Sequence, residues 1–334
     1  MRQIKISKNE AGQRADKLLA KYLNRAPKSF LYKMMRKKNI TLNGKKMQGN
    51  EILAEGDEVK LFLSDETVEK FQADATAGSR AGSHAVSRIP VIYEDEHILL
   101  LNKPAGVLSQ KAQPQDVSAV EYLLEYLLAS GSITAGELRT FRPSVCNRLD
   151  RNTSGILVAG KSLIGLQTMS ALLRDRTVHK YYLCIVKGTM TGSQHLKGYL
   201  VKDPRTNTVT IREEPGDGEA LAIETKYRAL QSQNGLTLLE VLLVTGRSHQ
   251  IRAHLASIGH PIVGDPKYGD EALNRRYRTG CGVTGQLLHA WRLVFPQIDG
   301  ALSYLSGREY AAAVPEVFDR VFPGMQTGLL HIVS

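Results

Sequence analysis

The sequence predicts an α+β protein in which a small helix-plus-strand domain, residues 1–64, precedes a larger domain, residues 89–334, with a mixed and mainly antiparallel sheet. Three observations support this prediction. Positive charge is concentrated in the first segment, residues 65–88 are rich in Ala, Ser and Gly, and from Ile89 onward strand patterns alternate with helical ones. The length of 334 residues is compatible with two domains, since compact domains usually contain about 100 to 200 residues.

The first 64 residues carry most of the net charge. They contain 15 Lys and Arg against six Asp and Glu, which gives +9 of the chain's total of +11. Within residues 28–38, Leu31, Met34 and Met35 recur at helical spacing among basic residues, which predicts a helix with a basic face. Such a face is typical either of a nucleic-acid-binding surface or of a solvated surface helix. The short strands predicted after it are Ile40–Leu42 and Val59–Phe62.

Residues 65–88 contain few large apolar side chains, so they cannot bury enough surface to fold alone and are predicted to form a flexible linker. The second domain begins at Ile89. Its predicted strands include Ile98–Leu101, Ile156–Ala159, Tyr182–Val186 and Leu236–Val244, and its predicted helices lie near 117–129, 162–175 and 248–258.

Composition excludes several classes of protein. No apolar run approaches the ~18 residues of a membrane span, and the N-terminus lacks the apolar stretch of a secretory signal, so we expect a cytoplasmic protein. Cys146, Cys184 and Cys281 are odd in number and far apart, which fits neither a disulfide framework nor a cysteine metal site. A pI near 9.5 predicts an anionic partner, of which nucleic acid is the most common for such a chain.

A dense polar segment at residues 148–155 ends abruptly in the apolar strand that begins at Ile156. Asp150 stands between Arg148 and Arg151, and nearby cations favour the charged carboxylate that a nucleophile or base requires. Polar residues at the mouth of a strand therefore indicate a candidate site. From the residues alone, a loop held together by Asp–Arg pairs is at least as probable.

A second polar segment, residues 246–254, follows the apolar strand 236–244. Ser248 is a plausible N-cap of the next helix and Gly259 a plausible stop. The core stripe of that helix leaves Arg252 free to face a ligand or a carboxylate, and Asp150 is a natural partner. A metal site is not predicted, because the histidines nearby lack a ligand-type spacing.

The third segment, residues 179–188, reads as a strand with aromatic residues at its start. Most such tyrosines pack in a core. A ring beside a carboxylate would instead suit an extruded nucleobase, which RNA enzymes hold by stacking. The sequence alone leaves both interpretations open.

Together these segments resemble the signature motifs of the RluA-type pseudouridine synthases. The motif CNRLDRNTSGILVAGKS resembles the one with the catalytic aspartate, which implies that role for Asp150 and a base-displacing role for Arg148. KYYLCIVKG implies a base-stacking role for Tyr182, and GRSHQIRAHLASIGHPIVGDPKYG implies that Arg252 pairs with the aspartate. Further matches at 91–109 and 287–296 extend the resemblance over nearly all of 89–320. One departure is Asn147, where the family usually has histidine; asparagine can form hydrogen bonds there but cannot titrate.

The first domain resembles the small RNA-binding domain of the ribosomal-protein S-four kind. Three stretches carry this resemblance: RADKLL, PKSFLYKMMRKKNITLNGKK and LAEGDEVKL. It implies that RNA phosphates are contacted by Arg14, Lys17, Ser29, Lys33, Arg36 and Lys37.

These resemblances imply a pseudouridine synthase that isomerises specific uridines in RNA, and we expect large-subunit ribosomal RNA. They imply no cofactor and no metal, and we expect a monomer without membrane association. The alternative is a catalytically inactive RNA-binding factor for ribosome assembly. A methyltransferase or a deaminase is disfavoured, because neither a Rossmann glycine turn nor the zinc deaminase signature is present.

Overall fold

A computed structural model describes residues 1–72, 89–216 and 219–325 of the chain. These residues form one sheet of four strands and one of eleven, and the helices pack against the sheets. The α+β class and the mainly antiparallel character of the larger sheet, both predicted from the sequence, are confirmed. No helix within the described ranges combines the length and the apolar character needed to cross a membrane.

The described part of the first domain has three helices and an antiparallel sheet of four strands. In chain order its elements are β1 (Arg2–Lys5), α1 (Ala15–Tyr22), α2 (Lys28–Arg36), β2 (Ile40–Leu42), β3 (Lys45–Lys46), β4 (Glu58–Leu61) and α3 (Asp65–Phe71). The strand order is β1-β4-β2-β3. Leu31 and Met35 of α2 are buried and Met34 is half-buried, as their spacing predicts, so the basic residues of the helix lie on its exposed side.

Helix α3 corrects the predicted boundary of the linker. Residues 65–71 were assigned to the linker, but the Ser64 side chain accepts a hydrogen bond from the Thr67 N–H, and Val68 is fully buried in the first core. The Phe71 ring lies 4.6 Å from that of Phe30, centroid to centroid. Residues 65–88 as a whole contain few large apolar side chains, so their composition did not indicate that α3 has an apolar face. The rest of the predicted linker, residues 73–88, lies outside the described residues.

The second domain contains the larger sheet. Its elements are β5 (Val91–Glu94), β6 (Ile98–Lys103), α4 (Ala119–Ala129), β7 (Ser144–Val145), β8 (Ser154–Gly160), α5 (Leu163–Arg174), β9 (His179–Lys187), β10 (Ser193–Asp203), β11 (Thr208–Arg212), β12 (Ala220–Gln233), β13 (Leu236–Leu243), α6 (Gln250–Ser257), α7 (Glu271–Cys281), β14 (Leu288–Val294), β15 (Glu309–Ala311) and α8 (Glu316–Val321). The main strand order is β11-β10-β12-β13-β9-β14-β8-β6-β5, and among the strands of the described residues only β14 and β8 pair in parallel. The helices predicted near 117–129, 162–175 and 248–258 correspond to α4, α5 and α6.

Strands β6 and β8 are buried on both faces. Leu99 and Leu157 belong to one core cluster, and Leu100 and Val158 to a second cluster on the other face. Both faces are covered, which explains why these strands have continuous apolar runs rather than alternating ones. They provide a rigid support for the polar loop that precedes β8.

The stretch 110–143 contains α4 and a short 3-10 helix, Glu137–Arg139. Just after this helix, Thr140 Oγ1 donates a hydrogen bond of 2.6 Å to Glu10 Oε1 of the first domain. Phe141 lies beside it, with the Lys21 ammonium 6.0 Å from its ring centroid. The end of the 110–143 stretch therefore contacts the first domain.

Gly155 allows β8 and β14 to approach closely beside that polar loop. Its φ is +108°, and a Cβ atom there would lie 2.2 Å from the Ala290 carbonyl oxygen. Only glycine tolerates both this conformation and this contact. The close approach fixes the position at which the chain leaves the loop and enters the sheet.

Residues 103–109 hold the loop from the other side. Ser109 Oγ donates to the Leu149 carbonyl at 3.0 Å and accepts from the Leu149 N–H at 2.9 Å. Gly106 and Arg151 form a similar reciprocal pair: the Gly106 N–H donates to the Arg151 carbonyl at 2.9 Å, and Arg151 Nε donates to the Gly106 carbonyl at 3.1 Å. The loop backbone on both sides of Asp150 is therefore tied to one neighbouring segment.

Lys103 makes the central contacts between residues 103–109 and the loop that contains Asp150. It is fully buried, and its ammonium donates to the carbonyl oxygens of Pro104, Val107 and Arg151 at 3.0, 2.8 and 3.1 Å. Burial lowers the pKa of Lys103, and attraction to the Asp150 carboxylate opposes that shift. The three donors of the ammonium match three acceptors, so the buried group is fully hydrogen-bonded.

We predict that Lys103→Met destabilises the second domain, because it leaves the Pro104 and Val107 carbonyl oxygens without a donor among the described residues, whereas the Arg151 carbonyl keeps the Gly106 N–H. Each unpaired buried polar group costs about 1–3 kcal/mol, so the free energy of unfolding should fall by at least about 2 kcal/mol. Urea unfolding followed by Trp291 fluorescence measures this, since the chain's single tryptophan lies in the second domain's core. The matched control is Lys226→Met on the exposed side of β12, which should change stability by no more than about 0.5 kcal/mol. Equal unfolding midpoints for the two variants would contradict the anchoring role.

Candidate active site

Three polar segments that are distant in sequence line one cleft of about 820 Å³. Arg148 and Asp150 come from the loop before β8, Tyr182 from β9 and Arg252 from α6. The structure thus brings together the four second-domain residues that the sequence singled out. Asp150 opens onto this cleft with 26% of its side chain exposed.

Arg252 joins Asp150 to a second carboxylate, Asp265. Its Nη1 donates to Asp150 Oδ2 at 2.8 Å, while Nε and Nη2 donate to the two oxygens of Asp265 at 2.6 and 2.8 Å. The side chains of Arg252 and Asp265 are 5% and 0% exposed. This geometry is bidentate towards the buried Asp265 and directs Nη1 towards Asp150.

Asp265 is also held by the backbone, because Oδ1 accepts hydrogen bonds from the N–H groups of Lys267 and Tyr268 at 2.9 and 3.1 Å. Burial alone would raise the pKa of Asp265, but the hydrogen bonds and charge of Arg252 and the two N–H groups outweigh it, and the pKa is lowered. Asp265 is therefore a charged, immobile partner that fixes the direction of Arg252.

Asp265 is not among the residues predicted for the site, although it lies within the motif GRSHQIRAHLASIGHPIVGDPKYG. The sequence offers a second acidic candidate beside Asp150, because Asp265 follows the apolar run 261–263 at a glycine turn in the same motif as Arg252. Lys103 was missed for a similar reason. A lysine at the end of the apolar strand β6 is unusual, but its partners are carbonyl groups, which no side-chain pattern indicates.

The start of α6 differs from the sequence prediction. The sequence predicts Ser248 as the cap of the helix, but the cap position is His249, which has a left-handed backbone with φ of +58° and forms no side-chain cap hydrogen bond. The side chain of Gln250 organises this turn instead. Its Oε1 accepts from Thr245 Oγ1 and from the Arg247 N–H at 2.8 and 3.1 Å.

Tyr182 and its neighbour Tyr181 point to opposite faces of β9, as alternation along a strand requires. Tyr181 stacks under the Arg292 guanidinium, 4.0 Å from the ring centroid, and Arg292 is paired with Glu240. Tyr182 is 6% exposed and lines the cleft with Asp150. Burial, and next the Asp150 charge, raise the pKa of Tyr182, so its hydroxyl stays protonated. Tyr182 therefore offers the cleft a neutral aromatic ring, and Tyr181 belongs to a packed ion-pair cluster.

Asn147 forms hydrogen bonds to the adjacent strand. Its Oδ1 accepts from the Val158 N–H at 2.8 Å, and its Nδ2 donates to the Ile156 carbonyl at 3.4 Å. These bonds join the polar loop to β8. They account for asparagine at this position through hydrogen bonding, without proton transfer.

The six candidate RNA-binding residues of the first domain do not line the Asp150 cleft. All six are exposed: Arg14, Lys17, Ser29, Lys33, Arg36 and Lys37. The Arg14 guanidinium forms two hydrogen bonds with the Asp16 carboxylate, at 3.0 and 2.9 Å. Asp16 also accepts from the exposed Tyr32 hydroxyl at 2.9 Å.

Comparison with known proteins identifies the family. Residues 97–257, which contain the loop, β9 and most of the cleft, match the family described as RNA pseudouridylate synthase. The chain is 31% identical over 297 residues to ribosomal large subunit pseudouridine synthase C of Vibrio parahaemolyticus, covering 87% of each protein. It is 31% identical over 304 residues to the Escherichia coli K12 protein of the same name, covering 87% of this chain and 88% of that protein.

Solved structures show the same fold. Human RNA pseudouridylate synthase domain containing 4 superposes with a TM-score of 0.56 at 21% identity, covering 69% of this chain and 90% of that one. Taken with the identity of 31% across 87% of its length to curated relatives, the chain belongs to the RNA pseudouridylate synthase family and is an RNA pseudouridine synthase of the RluA type that its motifs resemble.

Proposed function

We propose that this enzyme isomerises specific uridines of large-subunit ribosomal RNA to pseudouridine, with Asp150 as the catalytic carboxylate. The observation that carries the proposal is the asymmetric environment of Asp150. Its Oδ2 is held by Arg252 at 2.8 Å, while its Oδ1 accepts no hydrogen bond from any described residue. One oxygen is thus oriented and the other is available to a substrate in the cleft. The names of the relatives support the choice of RNA.

The reaction breaks the C1′–N1 bond of the uridine, turns the uracil and forms a C1′–C5 bond. The proton on C5 is lost and N1 gains one, so atoms and electrons balance without a cofactor. Asp150 acts either by attacking C1′ or by removing a sugar proton to give a glycal, and both routes require the same free oxygen. Arg252 holds the carboxylate in place throughout.

Tyr182 provides the surface on which the detached uracil turns. Its ring is neutral and buried at the base of the cleft, so it stacks on the base without competing for protons. Confinement keeps C5 close to C1′ after N1 has left. Arg148 is exposed at the mouth of the cleft, and it fills the space that the flipped nucleotide leaves in the RNA.

The first domain binds RNA through α2 and adjacent residues, as its similarity to the ribosomal-protein S-four kind of domain implies. Lys33, Arg36 and Lys37 are exposed, and no carboxylate of a described residue lies within 4.0 Å of their charged groups. The unit extends to Phe71, since α3 is part of its core, and the following segment joins it to the catalytic domain. We further propose that the enzyme acts as a monomer in the cytoplasm.

Asp150→Asn should abolish pseudouridine formation, because the amide has nearly the same shape but carries no charge and is a poor nucleophile and base. We expect kcat/KM to fall by at least about 1,000-fold, measured as tritium release from RNA labelled at C5 of uridine. RNA affinity and the Trp291 unfolding midpoint should change little.

The matched control for this variant is Asp175→Asn. Asp175 is an exposed aspartate at the end of α5, and its one ion-pair partner among the described residues is Arg174. It should retain nearly full activity. Turnover by Asp150→Asn at the wild-type rate would contradict the role of Asp150. A wild-type protein that binds ribosomal RNA but forms no pseudouridine would instead favour the assembly-factor alternative.

Replacing Lys33, Arg36 and Lys37 together by Gln should weaken RNA binding most at low salt, where counterion release contributes most to the affinity. Each lost phosphate contact changes the slope of log K against log salt by roughly 0.7 to 0.9, so the slope should fall by about 2. The control removes three exposed lysines elsewhere: Lys70, Lys197 and Lys226. If both triple variants changed the slope equally, the face of α2 would be an ordinary solvated surface.

A further inference from the structure

Lys180 is a half-buried cation without a described anionic partner. It lies in β9 two residues before Tyr182, so the two side chains share the face that lines the cleft. Within the described ranges, no carboxylate lies within 4.0 Å of its ammonium, and its side chain forms no hydrogen bond. Burying a charge without a partner is unfavourable. The position is therefore adapted to an anion that arrives with the substrate.

The cleft around Lys180 is strongly positive. Its described lining includes one carboxylate, Asp150, against nine Lys and Arg residues. Two of these cations, Arg176 and Arg247, are exposed and likewise lie more than 4.0 Å from every described carboxylate. Burial, and next the charge of Arg176, lower the pKa of Lys180. Repulsion between unpaired cations of this kind is relieved when an anion binds among them.

Local backbone geometry places these groups at the cleft. Arg176 has a left-handed conformation, with φ of +61°, in the turn between α5 and β9. This conformation is unfavourable for a residue other than glycine. Gly246 lies beside the Lys180 ammonium, since a Cβ atom there would be 3.7 Å from Nζ. Arg247 follows directly in the chain, and its segment leads into α6 and Arg252.

We infer that Lys180, with Arg176 and Arg247, binds a backbone phosphate of the RNA next to the uridine that is isomerised. The inference rests on the proposed function and adds a positioning contact to it. Alternate residues of a strand are about 6.6 Å apart, within the dimensions of one nucleotide. A phosphate on Lys180 therefore places its nucleotide against the Tyr182 ring and beside the free oxygen of Asp150.

The test combines Lys180→Met with single methylphosphonate substitutions in a short RNA substrate, placed one at a time on either side of the target uridine. A methylphosphonate keeps the backbone but removes its charge at one position. For the wild type we expect one position to lower kcat/KM by roughly 10- to 100-fold, the loss of a charged hydrogen bond. Lys180→Met should show a similar loss with unmodified RNA and no further loss at that position. Lys180→Arg should restore much of the activity.

The matched control, Lys226→Met, should keep the wild-type response to every methylphosphonate. Unfolding of Lys180→Met, followed by Trp291 fluorescence, should be unchanged or shifted to higher urea, since the variant removes an uncompensated half-buried charge. If the role of Lys180 were purely structural, Lys180→Met would shift unfolding to lower urea. The inference is overturned if no position affects the wild type, or if Lys180→Met and the methylphosphonate reduce kcat/KM independently at every position.

Two further measurements distinguish the phosphate contact from related explanations. Suppose that inorganic phosphate inhibits the wild type but not Lys180→Met, and that no methylphosphonate position is sensitive. The site then binds free phosphate, and the inference is overturned. If the wild type forms no pseudouridine, the proposed function fails, but the same cycle measured as RNA dissociation constants still tests the phosphate site. Asp150→Asn protein is suitable for that measurement, because it should bind substrate without converting it.

Discussion

The buried Arg252 guanidinium, shared between Asp265 and Asp150, is the interaction on which the active site depends. Burying a cation is costly unless counter-charges and hydrogen bonds compensate for the lost hydration. Here three nitrogens donate to two carboxylates, and Asp265 gains two backbone N–H donors in addition. Because Asp265 is fully buried and cannot turn, Arg252 has one orientation. Asp150, which is partly exposed, takes its own orientation from Arg252.

The rest of the domain fixes the positions of the two segments that carry Asp150 and Arg252. Lys103 and Ser109 bind the backbone on either side of Asp150, and Gly155 lets β8 approach β14 directly after the loop. On the other side of the cleft, hydrogen bonds to the Gln250 side chain stabilise the turn before α6, and α6 contains Arg252. The carboxylate and its partner therefore belong to separate, well-anchored segments, and a substrate can enter between them without disturbing either anchor.

Local patterns predicted the fold class and most helices, because apolar spacing in α2, α4, α5 and α6 reports directly which face is buried. The roles of Asp150, Tyr182 and Arg252 came from resemblance, and the residues alone left other interpretations open. Contacts distant in sequence could not be predicted in the same way. Asp265 and Lys103 act through partners that are defined only once the chain has folded, and α3 was hidden because its stabilising contacts, Phe30 and the core around Val68, come from other segments.

A double-mutant cycle of Arg252→Gln and Asp265→Asn, read as kcat/KM for pseudouridine formation, tests this account most directly. If Asp265 acts by directing Arg252 towards Asp150, each single variant lowers activity strongly, and the double variant is hardly worse than Arg252→Gln alone. The Trp291 unfolding curves of all four proteins identify any variant that has simply unfolded. Losses that multiply in the double variant would show that Asp265 acts independently of Arg252, which would contradict the central role assigned to this buried pair.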